Sequence, residues 1–344
     1  MKVAVVRNRS TEGIINRFGQ PCPEVCGKRT VQRVIDALAA AGHTVACVDA
    51  DKTMLAELEK FMPPDPVTGR PGGIVFNMAY GIQGQARYSH APAMLEMAGI
   101  PYTGACPLGH AISLDKVVAK RLLRDAGVPT PSFQVLSHPD QYVEGLRFPL
   151  IVKPRHESTS YGLHLVRNNQ ELEAAVLAVV AMYQQQALVE EYIDGREVCV
   201  GILGNKRTVI LPPVELDFGE RPLKTLIWED KYHKRTDEPR KICPAPLSSD
   251  LAAAIRRIAL DTFHLCHCRD YARVDMRIDV FGNPFVLEIN SMASLGRGGS
   301  FVRAAQEVRY NFVSLVGRIL DVAYERYFGV PAPKDILIAR TAAL

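Results

Sequence analysis

The segment YARVDMRIDVFGNPFVLEIN, residues 271–290, has the pattern of a β-hairpin with one charged face. Four charged residues alternate with apolar ones in its first half: Arg273, Asp275, Arg277 and Asp279. Because alternate residues of a strand share a face, a tight turn at FGNP would bring Asp275 opposite Glu288 and Asn290. Two carboxylates and an amide oxygen suit Mg²⁺, and Arg273 beside them would be a fixed cation for developing negative charge. The alternative is a solvated hairpin face, which the apolar run before Glu288 disfavours.

A second group of residues has the chemistry of a phosphate and nucleoside site. Lys153 ends the apolar strand FPLIVKP (148–154), where its ammonium group is well placed to meet a phosphate. The following loop ESTSYG (157–162) offers hydroxyl and backbone N–H groups, although it lacks the G-x-x-x-x-G-K-[ST] pattern. Carboxylates that can accept hydrogen bonds from ribose or adenine come later: Glu190, Glu191 and Glu197. Exposed turns with surface charges are the competing interpretation for both segments.

The first third of the chain alternates strands and helices. Strands are predicted at 2–6, 43–50 and 72–79, and helices at 27–42 and 92–99. This alternation predicts a mostly parallel, doubly wound sheet, with the Pro- and Gly-rich residues 63–73 as a surface loop.

The later chain has the pattern of an α+β unit with antiparallel strands. Helices are predicted at 113–127, 169–184 and 251–268, strands at 148–154, 163–166, 186–193 and 198–204, and a turn at 194–197. We expect domain boundaries near 110 and 195, which gives an N-terminal domain 1–110, a central domain 111–195 and a C-terminal domain 196–344.

Composition limits the classes of function. The chain has 344 residues, 47% of them hydrophobic, and a net charge of only +4, which does not favour nucleic acid as a partner. No apolar run is long enough for a membrane span, and the N-terminus reads as a strand rather than a signal peptide. The scattered cysteines suggest reduced thiols and a cytoplasmic protein. A zinc site in FHLCHCRD (263–270), or at Cys22 and Cys26, stays a minor alternative because neither spacing is a common zinc pattern.

Several of these segments together resemble the ATP-grasp superfamily and, within it, the D-alanine:D-alanine ligase family. The matching segments are FNMAYGIQG (76–84), IPYTG (100–104), LDKVVAKRLLRDAGVPTP (114–131), IVKPRHESTSYG (151–162), LVEEYIDGREVCVGILGN (188–205), WEDKY (228–232), ARVDMRID (272–279) and VLEIN (286–290). They occur in the family's order and cover most of the chain. The resemblance implies an α/β and α+β ATP-grasp fold with an N-terminal Rossmann-like domain.

The resemblance also implies a role for individual residues. Those implied to bind ATP are Lys116, Lys153, Ser160, Glu190, Glu191, Ile193, Glu197 and Lys231. Asp275, Glu288 and Asn290 would bind two Mg²⁺ ions, with Mn²⁺ as a possible substitute. Those implied to act on the amino-acid substrates or on the intermediate are Glu24, Thr159, Tyr232, Arg273 and Ser300. The implied reaction joins two amino acids through an acyl phosphate, with D-alanine, peptidoglycan synthesis and a homodimer as the default expectations.

Three segments depart from the family pattern. The glycine-rich loop after the first strand is replaced by VVRNRSTEGIINRFGQPCPEVCGK, and the acidic pair of the next family motif is absent from YGIQGQAR. The loop after Asn290, SMASLGRGGS, carries Arg297 and is one residue longer than the family's Pro-Gly-Met-Thr segment. These segments would contact the amino acids, so a ligase for another amino acid or dipeptide is the main alternative. A nucleotide-binding protein without ligase activity is the second, and the absence of G-x-G-x-x-G disfavours a dinucleotide-dependent oxidoreductase.

Overall fold

The computed structural model describes residues 1–8, 14, 16, 24, 26–221, 224–225 and 239–330. In this part of the chain the strands form three sheets. Their bounds are β1 (Lys2–Arg7), β2 (Thr44–Asp49), β3 (Gly73–Asn77), β4 (Phe133–Leu136), β5 (Leu150–Pro154), β6 (His164–Val166), β7 (Ala187–Glu191), β8 (Gly195–Leu203), β9 (Val209–Ile210), β10 (Val214–Asp217), β11 (Arg240–Ile242), β12 (Tyr271–Asp279) and β13 (Pro284–Asn290).

The helices pack against these sheets. Their bounds are α1 (Lys28–Ala40), α2 (Met54–Phe61), α3 (His90–Met97), α4 (Pro107–Leu114), α5 (Lys116–Asp125), α6 (Asn169–Tyr183), α7 (Ser249–Leu265), α8 (Ser300–Glu307) and α9 (Phe312–Phe328). No helix in the described ranges is long and apolar enough to cross a membrane.

The N-terminal sheet is parallel, with the strand order β2-β1-β3. Successive residues of β1 alternate between two cores, because side chains on a strand point to opposite faces. Val3 and Val5 pack with α1 on one face, whereas Ala4 and Val6 pack with α2 and α3 on the other. The sheet therefore has helices on both faces, as the alternating pattern predicted.

The other two sheets are antiparallel. One has the order β4-β7-β5-β6, and the other has the order β11-β10-β8-β12-β13 with β9 paired to β8. Their cores are separate, with α6 packed on the first and α7 on the second. The three sheets succeed one another along the chain, and the domain boundaries near 110 and 195 stay a prediction.

Two local predictions were wrong. The helix predicted over 113–127 begins only at Lys116, because residues 113 and 114 belong to α4 and Asp115 is extended and caps α5. The turn predicted over 194–197 is shorter, because β8 already begins at Gly195, whose φ of 140° a side chain would strain. Both differences move site residues: Lys116 becomes the first residue of a helix, and Glu197 lies on a strand.

Candidate active site

A cavity of about 500 Å³ lies between the two antiparallel sheets and the N-terminal segment. Its lining includes residues of α5, β5, β8, β12 and β13, together with loops that follow β5 and β13. The residues predicted from the sequence that line it are Glu24, Lys116, Lys153, Thr159, Ser160, Glu197, Arg273, Asp275, Glu288, Asn290 and Ser300. The fold thus collects these side chains, which are scattered over most of the sequence, around one space.

The β12–β13 hairpin supplies the oxygen ligands. Asp275 lies opposite Glu288, as predicted. Asn290 instead lies opposite Arg273, two residue pairs further along the hairpin. The register shifts between Asp275 and Met276, so β13 has one extra residue there. This bulge lets Val286 point into the core while Glu288 points into the cavity. The two residues are two positions apart, so a regular strand would put both on one face.

Cations already face the carboxylates of this hairpin. Arg273 donates from Nε and Nη2 to the two carboxylate oxygens of Asp275, at 2.6 Å each, and Asn290 Nδ2 donates to Asp275 Oδ2 at 3.0 Å. Burial alone would lower the pKa of Arg273, but the Asp275 carboxylate raises it above the usual range. The guanidinium is therefore charged at any working pH and is held beside the predicted metal ligands.

The N-terminus of α5 places Lys116 next to the same hairpin. The Asp115 carboxylate caps the helix by accepting from the N–H groups of Val117 and Val118, at 3.1 Å each. Arg155 donates to both oxygens of that carboxylate, at 2.8 and 2.6 Å. Lys116 follows the cap, donates to the carbonyl of Glu157 and lies 3.7 Å from Glu288. Burial lowers the pKa of Lys116, with the Glu288 carboxylate opposing that shift.

Glu190 is the anchor of two buried lysines. Its carboxylate contacts Lys153 Nζ at 2.5 Å and Lys120 Nζ at 2.8 Å. Burial alone would raise the pKa of Glu190, but the two ammonium groups lower it to about 2. Burial lowers the pKa of Lys120 to about 8, against the opposing effect of Glu190. Among the described residues the Glu190 side chain is outside the cavity lining, so its predicted contact with adenine stays a prediction.

The loop after β5 has an unusual backbone conformation. Thr159 and Ser160 both have positive φ, 57° and 60°, which non-glycine residues rarely adopt and which often marks a functional site. The Ser158 hydroxyl lies buried beside the cavity and has no hydrogen-bond partner in the described part of the chain. A buried hydroxyl without a partner carries an energetic cost that a bound anion would relieve.

Glu197 is held by an arginine that sequence reasoning missed. Arg277 Nη1 donates to Glu197 Oε2 at 3.1 Å, and its Nε donates to the carbonyl of Ile193 at 2.5 Å. The same guanidinium also donates to the carbonyls of Gly195 and Lys224. The alternation of charged and apolar residues in β12 predicts that Arg277 shares a strand face with Arg273 and Asp275. That pattern could have identified Arg277 as a residue near the site.

The remaining predicted residues are placed as follows. Glu24 accepts a hydrogen bond from the hydroxyl of Tyr88, and burial, then the Glu24 charge, raises the pKa of Tyr88. Glu191 pairs with Arg147 at 3.2 Å, away from the cavity lining. Lys231 and Tyr232 lie outside the described residues.

The His and Cys cluster around residues 264–268 is not arranged as a metal site. Groups of three or more His, Cys, Asp or Glu side chains placed to hold a metal ion are absent from the described residues. Burial raises the pKa of Cys268 to about 12, and burial, then Cys268, raises the pKa of Cys266 above its usual range. These thiols are therefore protonated, buried groups at neutral pH.

Sequence analysis did not select two more residues that lie near the predicted site, Lys120 and His110. Lys120 follows Lys116 by one helical turn, which places both on the same face of α5. His110 Nδ1 is 2.8 Å from Ser291 Oγ, next to the predicted metal ligand Asn290. Burial lowers the pKa of His110 to about 3, so the imidazole is neutral at working pH.

The fold and the site define an ATP-grasp protein. Sequence comparison gives the same class, because residues 122–321 match the family model of the D-ala D-ala ligase C-terminus. The chain is 32% identical over 304 residues to the D-alanine–D-alanine ligase of Methylacidiphilum infernorum, covering 87% of this chain and 91% of that one.

Two further comparisons extend over almost the whole chain. The uncharacterized protein y4sG of Sinorhizobium fredii is 50% identical over 333 residues, covering 96% of this chain and 98% of that one. The crystal structure of the Bacillus anthracis D-alanine–D-alanine ligase with ATP has a TM-score of 0.74 at 19% identity, covering 95% and 97% of the two chains.

The chain belongs to the D-alanine–D-alanine ligase family of the ATP-grasp superfamily. The predicted fold and the predicted class of enzyme, an ATP-dependent ligase, are confirmed.

Proposed function

We propose that the protein joins the carboxylate of one amino acid to the amine of a second through an acyl phosphate formed from ATP. D-alanine is the default for both, and another amino-acid pair is the alternative. The observation that supports this most is the shared cavity of two lysines, Arg273 and three oxygen ligands, because phosphoryl transfer to a carboxylate needs cations around a charged centre.

The nucleotide would bind across the two antiparallel sheets. Lys116 and Lys153 would hold the α- and β-phosphates, and the Ser158 and Ser160 hydroxyls would donate to them. Glu197 would accept hydrogen bonds from the ribose hydroxyls. Adenine would lie near Glu190, Glu191 and the backbone of Ile193, and Lys231 would reach the γ-phosphate.

The hairpin residues fit Mg²⁺. Asp275 and Glu288 are two carboxylates in register, Asn290 adds an amide oxygen, and all three line the cavity. Mg²⁺ in such sites takes its remaining ligands from water and substrate phosphates, so two carboxylates and an amide are a sufficient protein contribution. When bound, the metal neutralises phosphate charge, and Mn²⁺ is expected to substitute for it.

The chain's own residues would act on both halves of the reaction. In the first, a donor carboxylate oxygen attacks the γ-phosphorus, ADP leaves, and Lys116 and Lys153 stabilise the charge that moves onto it. In the second, the acceptor amine attacks the acyl carbon, phosphate leaves and the amine loses a proton. Arg273 would stabilise the oxyanion between these two events, because its guanidinium is fixed before the reaction begins.

The amino acids would lie at the end of the cavity near the N-terminal segment. Glu24, Thr159 and Tyr232 would bind the donor, with Glu24 facing its ammonium group. Ser300 would bind the carboxylate of the acceptor. Each of the three segments that depart from the family pattern has a described residue in the cavity lining, such as Glu24, Tyr80 and Arg297. The pair of amino acids is therefore the open part of the proposal.

The test is ADP formation from ATP with each amino acid, in both enantiomers, and mass analysis of the products. We expect amino-acid-dependent ADP formation that Glu288→Gln abolishes and that Glu173→Gln, an exposed carboxylate on α6, leaves unchanged. Tight ATP binding without stimulation by any amino acid would contradict ligase activity and favour a nucleotide-binding protein.

We also propose a cytoplasmic homodimer, on the family resemblance alone. Sedimentation of the purified protein tests the assembly, and a monomer at micromolar concentration would contradict it.

A further inference from the structure

At one end of the cavity, an arginine has no ion pair with a described residue. This end is formed by the loop of residues 291–299 and by the first residues of α1 and α8. Arg297 is the only charged residue of the loop. Lys28 and Arg29, the first two residues of α1, are exposed and lie outside the cavity lining.

Arg297 differs from most cations that line the cavity. Lys116, Lys153 and Arg273 each face a carboxylate of the protein at 3.7 Å or less. Arg297 lines the cavity and has no hydrogen bond or ion pair with a described residue. An arginine on a cavity wall that pairs with no carboxylate of the described residues is available to an anionic group of a ligand.

Ser300 is a second group without a hydrogen-bond partner among the described residues. Ser300 is only 7% exposed and lines the cavity, and its hydroxyl has no hydrogen bond with a described residue. The helix that it begins, α8, has Gly299 as its N-cap, without a side-chain cap and without an acidic residue in the first turn. The hydroxyl and the first N–H groups of α8 are sufficient to bind one carboxylate, which leaves Arg297 for another.

The second anionic group is not expected on the donor amino acid. Glu24 lines the donor end and accepts a hydrogen bond from Tyr88, so a further carboxylate on the donor would meet a like charge there. The proposed acceptor would lie nearer Ser300, which begins α8 three residues after Arg297.

We infer that the acceptor is an acidic amino acid, with its α-carboxylate at Ser300 and its side-chain carboxylate at Arg297. This inference rests on the proposed function and names the substrate class of its second site. The side-chain carboxylate takes no part in the reaction, since the acceptor amine forms the new bond and phosphate is the leaving group.

The test compares acids with their own amides, which have nearly the same size. With the donor found in the amino-acid screen, kcat/KM is measured for aspartate against asparagine and for glutamate against glutamine, in both enantiomers. We expect at least one acid to exceed its amide by about tenfold, the typical effect of a charge-assisted hydrogen bond.

Two variants and one control connect that preference to Arg297. Arg297→Gln is expected to bring the ratio of acid to amide close to one, and Arg297→Glu to invert it. Arg303→Gln is the matched control, because Arg303 lies on α8, pairs with Glu307 at 2.7 Å and is outside the cavity lining. The control should keep the ratio of the original protein.

The outcomes separate the two proposals. ADP formation with the amide equal to or better than the acid in every pair overturns the inference and leaves the ligase proposal intact. A preference for acids that Arg297→Gln does not change also overturns the inference. No ADP formation with any amino acid overturns the proposed function, and the inference with it.

Discussion

At the scale of single residues, Glu190 shows how a carboxylate supports the site without entering it. It is the shared partner of Lys120 and Lys153, and all three are buried. Without Glu190, two ammonium groups would be buried close to each other without a counter-charge, which is strongly unfavourable. Lys153 therefore keeps its position near the predicted phosphates because Glu190 is ionised.

This arrangement predicts a stability that depends on pH. The pKa of Glu190 is lowered from 4.5 to about 2 in the folded protein, so its ionised form stabilises the fold above pH 4.5. That contribution, about 3 kcal/mol from the size of the shift, is lost as the pH falls from 4.5 towards 2. Glu190→Gln should therefore lower the free energy of unfolding at pH 7, and the difference should shrink in acid.

Denaturant titrations between pH 7 and pH 3 measure this difference. Glu191→Gln is the matched control, since its partner Arg147 has a side chain 89% exposed and such pairs contribute less than about 1 kcal/mol. A deficit in Glu190→Gln that stays constant with pH would contradict the role given to Glu190.

At the scale of elements, the cap of α5 connects helix stability to the site. Asp115 caps α5, and Lys116 is the first helical residue after it. Asp115→Ala should cost about 1–2 kcal/mol of stability and raise KM for ATP, because the helix start would fray around Lys116. Asn311→Ala removes the cap of α9 and should lower stability by a similar amount with KM for ATP unchanged. Equal KM values in both variants would show that Asp115 acts on stability alone.

Arg277 connects the turn between β7 and β8 to Glu197, the carboxylate proposed to bind ribose. Arg277→Lys would keep the charge but lose the fork that reaches Glu197 and the carbonyl of Ile193 together. We expect KM for ATP to rise about tenfold and the preference for ATP over 2′-deoxyATP to fall. Arg196→Lys, on the neighbouring strand β8, is the control, because Arg196 pairs with Glu215 at 2.7 Å outside the cavity lining. A rise in KM without a change in ribose preference would contradict this positioning role.

The elements also show what the sequence could and could not predict. Period-two alternation in β12 was enough to put Arg273 and Asp275 on one face, and the short turn was enough to pair β12 with β13. The extra residue near Leu287 was not predictable, because a bulge depends on which partners the opposite strand offers and not on local pattern. The break at Asp115 was missed for a similar reason, since Arg155, a distant residue, stabilises the cap. The contact of Glu190 with Lys120 likewise joins residues that are far apart in the sequence.

At the scale of the whole molecule, one buried carboxylate connects parts of the chain that belong to different sheets. Asp270, which is fully buried, accepts from the N–H of Gly104 and from Asn205 Nδ2, at 2.8 Å each. Arg326 of α9 donates to both oxygens of Asp270, at 3.1 and 2.9 Å, and to the carbonyl of Tyr102. The segment after β3, the sheet that contains β8 and β12, and helix α9 thus meet at this side chain.

We therefore predict strong coupling between Asp270 and Arg326. Asp270→Asn and Arg326→Met should each lower the free energy of unfolding by about 3 kcal/mol, because each leaves a buried partner unpaired. The double variant should cost less than the sum by more than about 1 kcal/mol, since the partners share one interaction. Denaturant unfolding of the four proteins measures this coupling.

Arg7 and Asp49 form the control cycle, because this pair at 3.2 Å joins neighbouring strands of a single sheet and is partly exposed. Its coupling should stay below about 1 kcal/mol. Additive effects at Asp270 and Arg326 would show that the sheets are held together by their apolar contacts rather than by this ion pair.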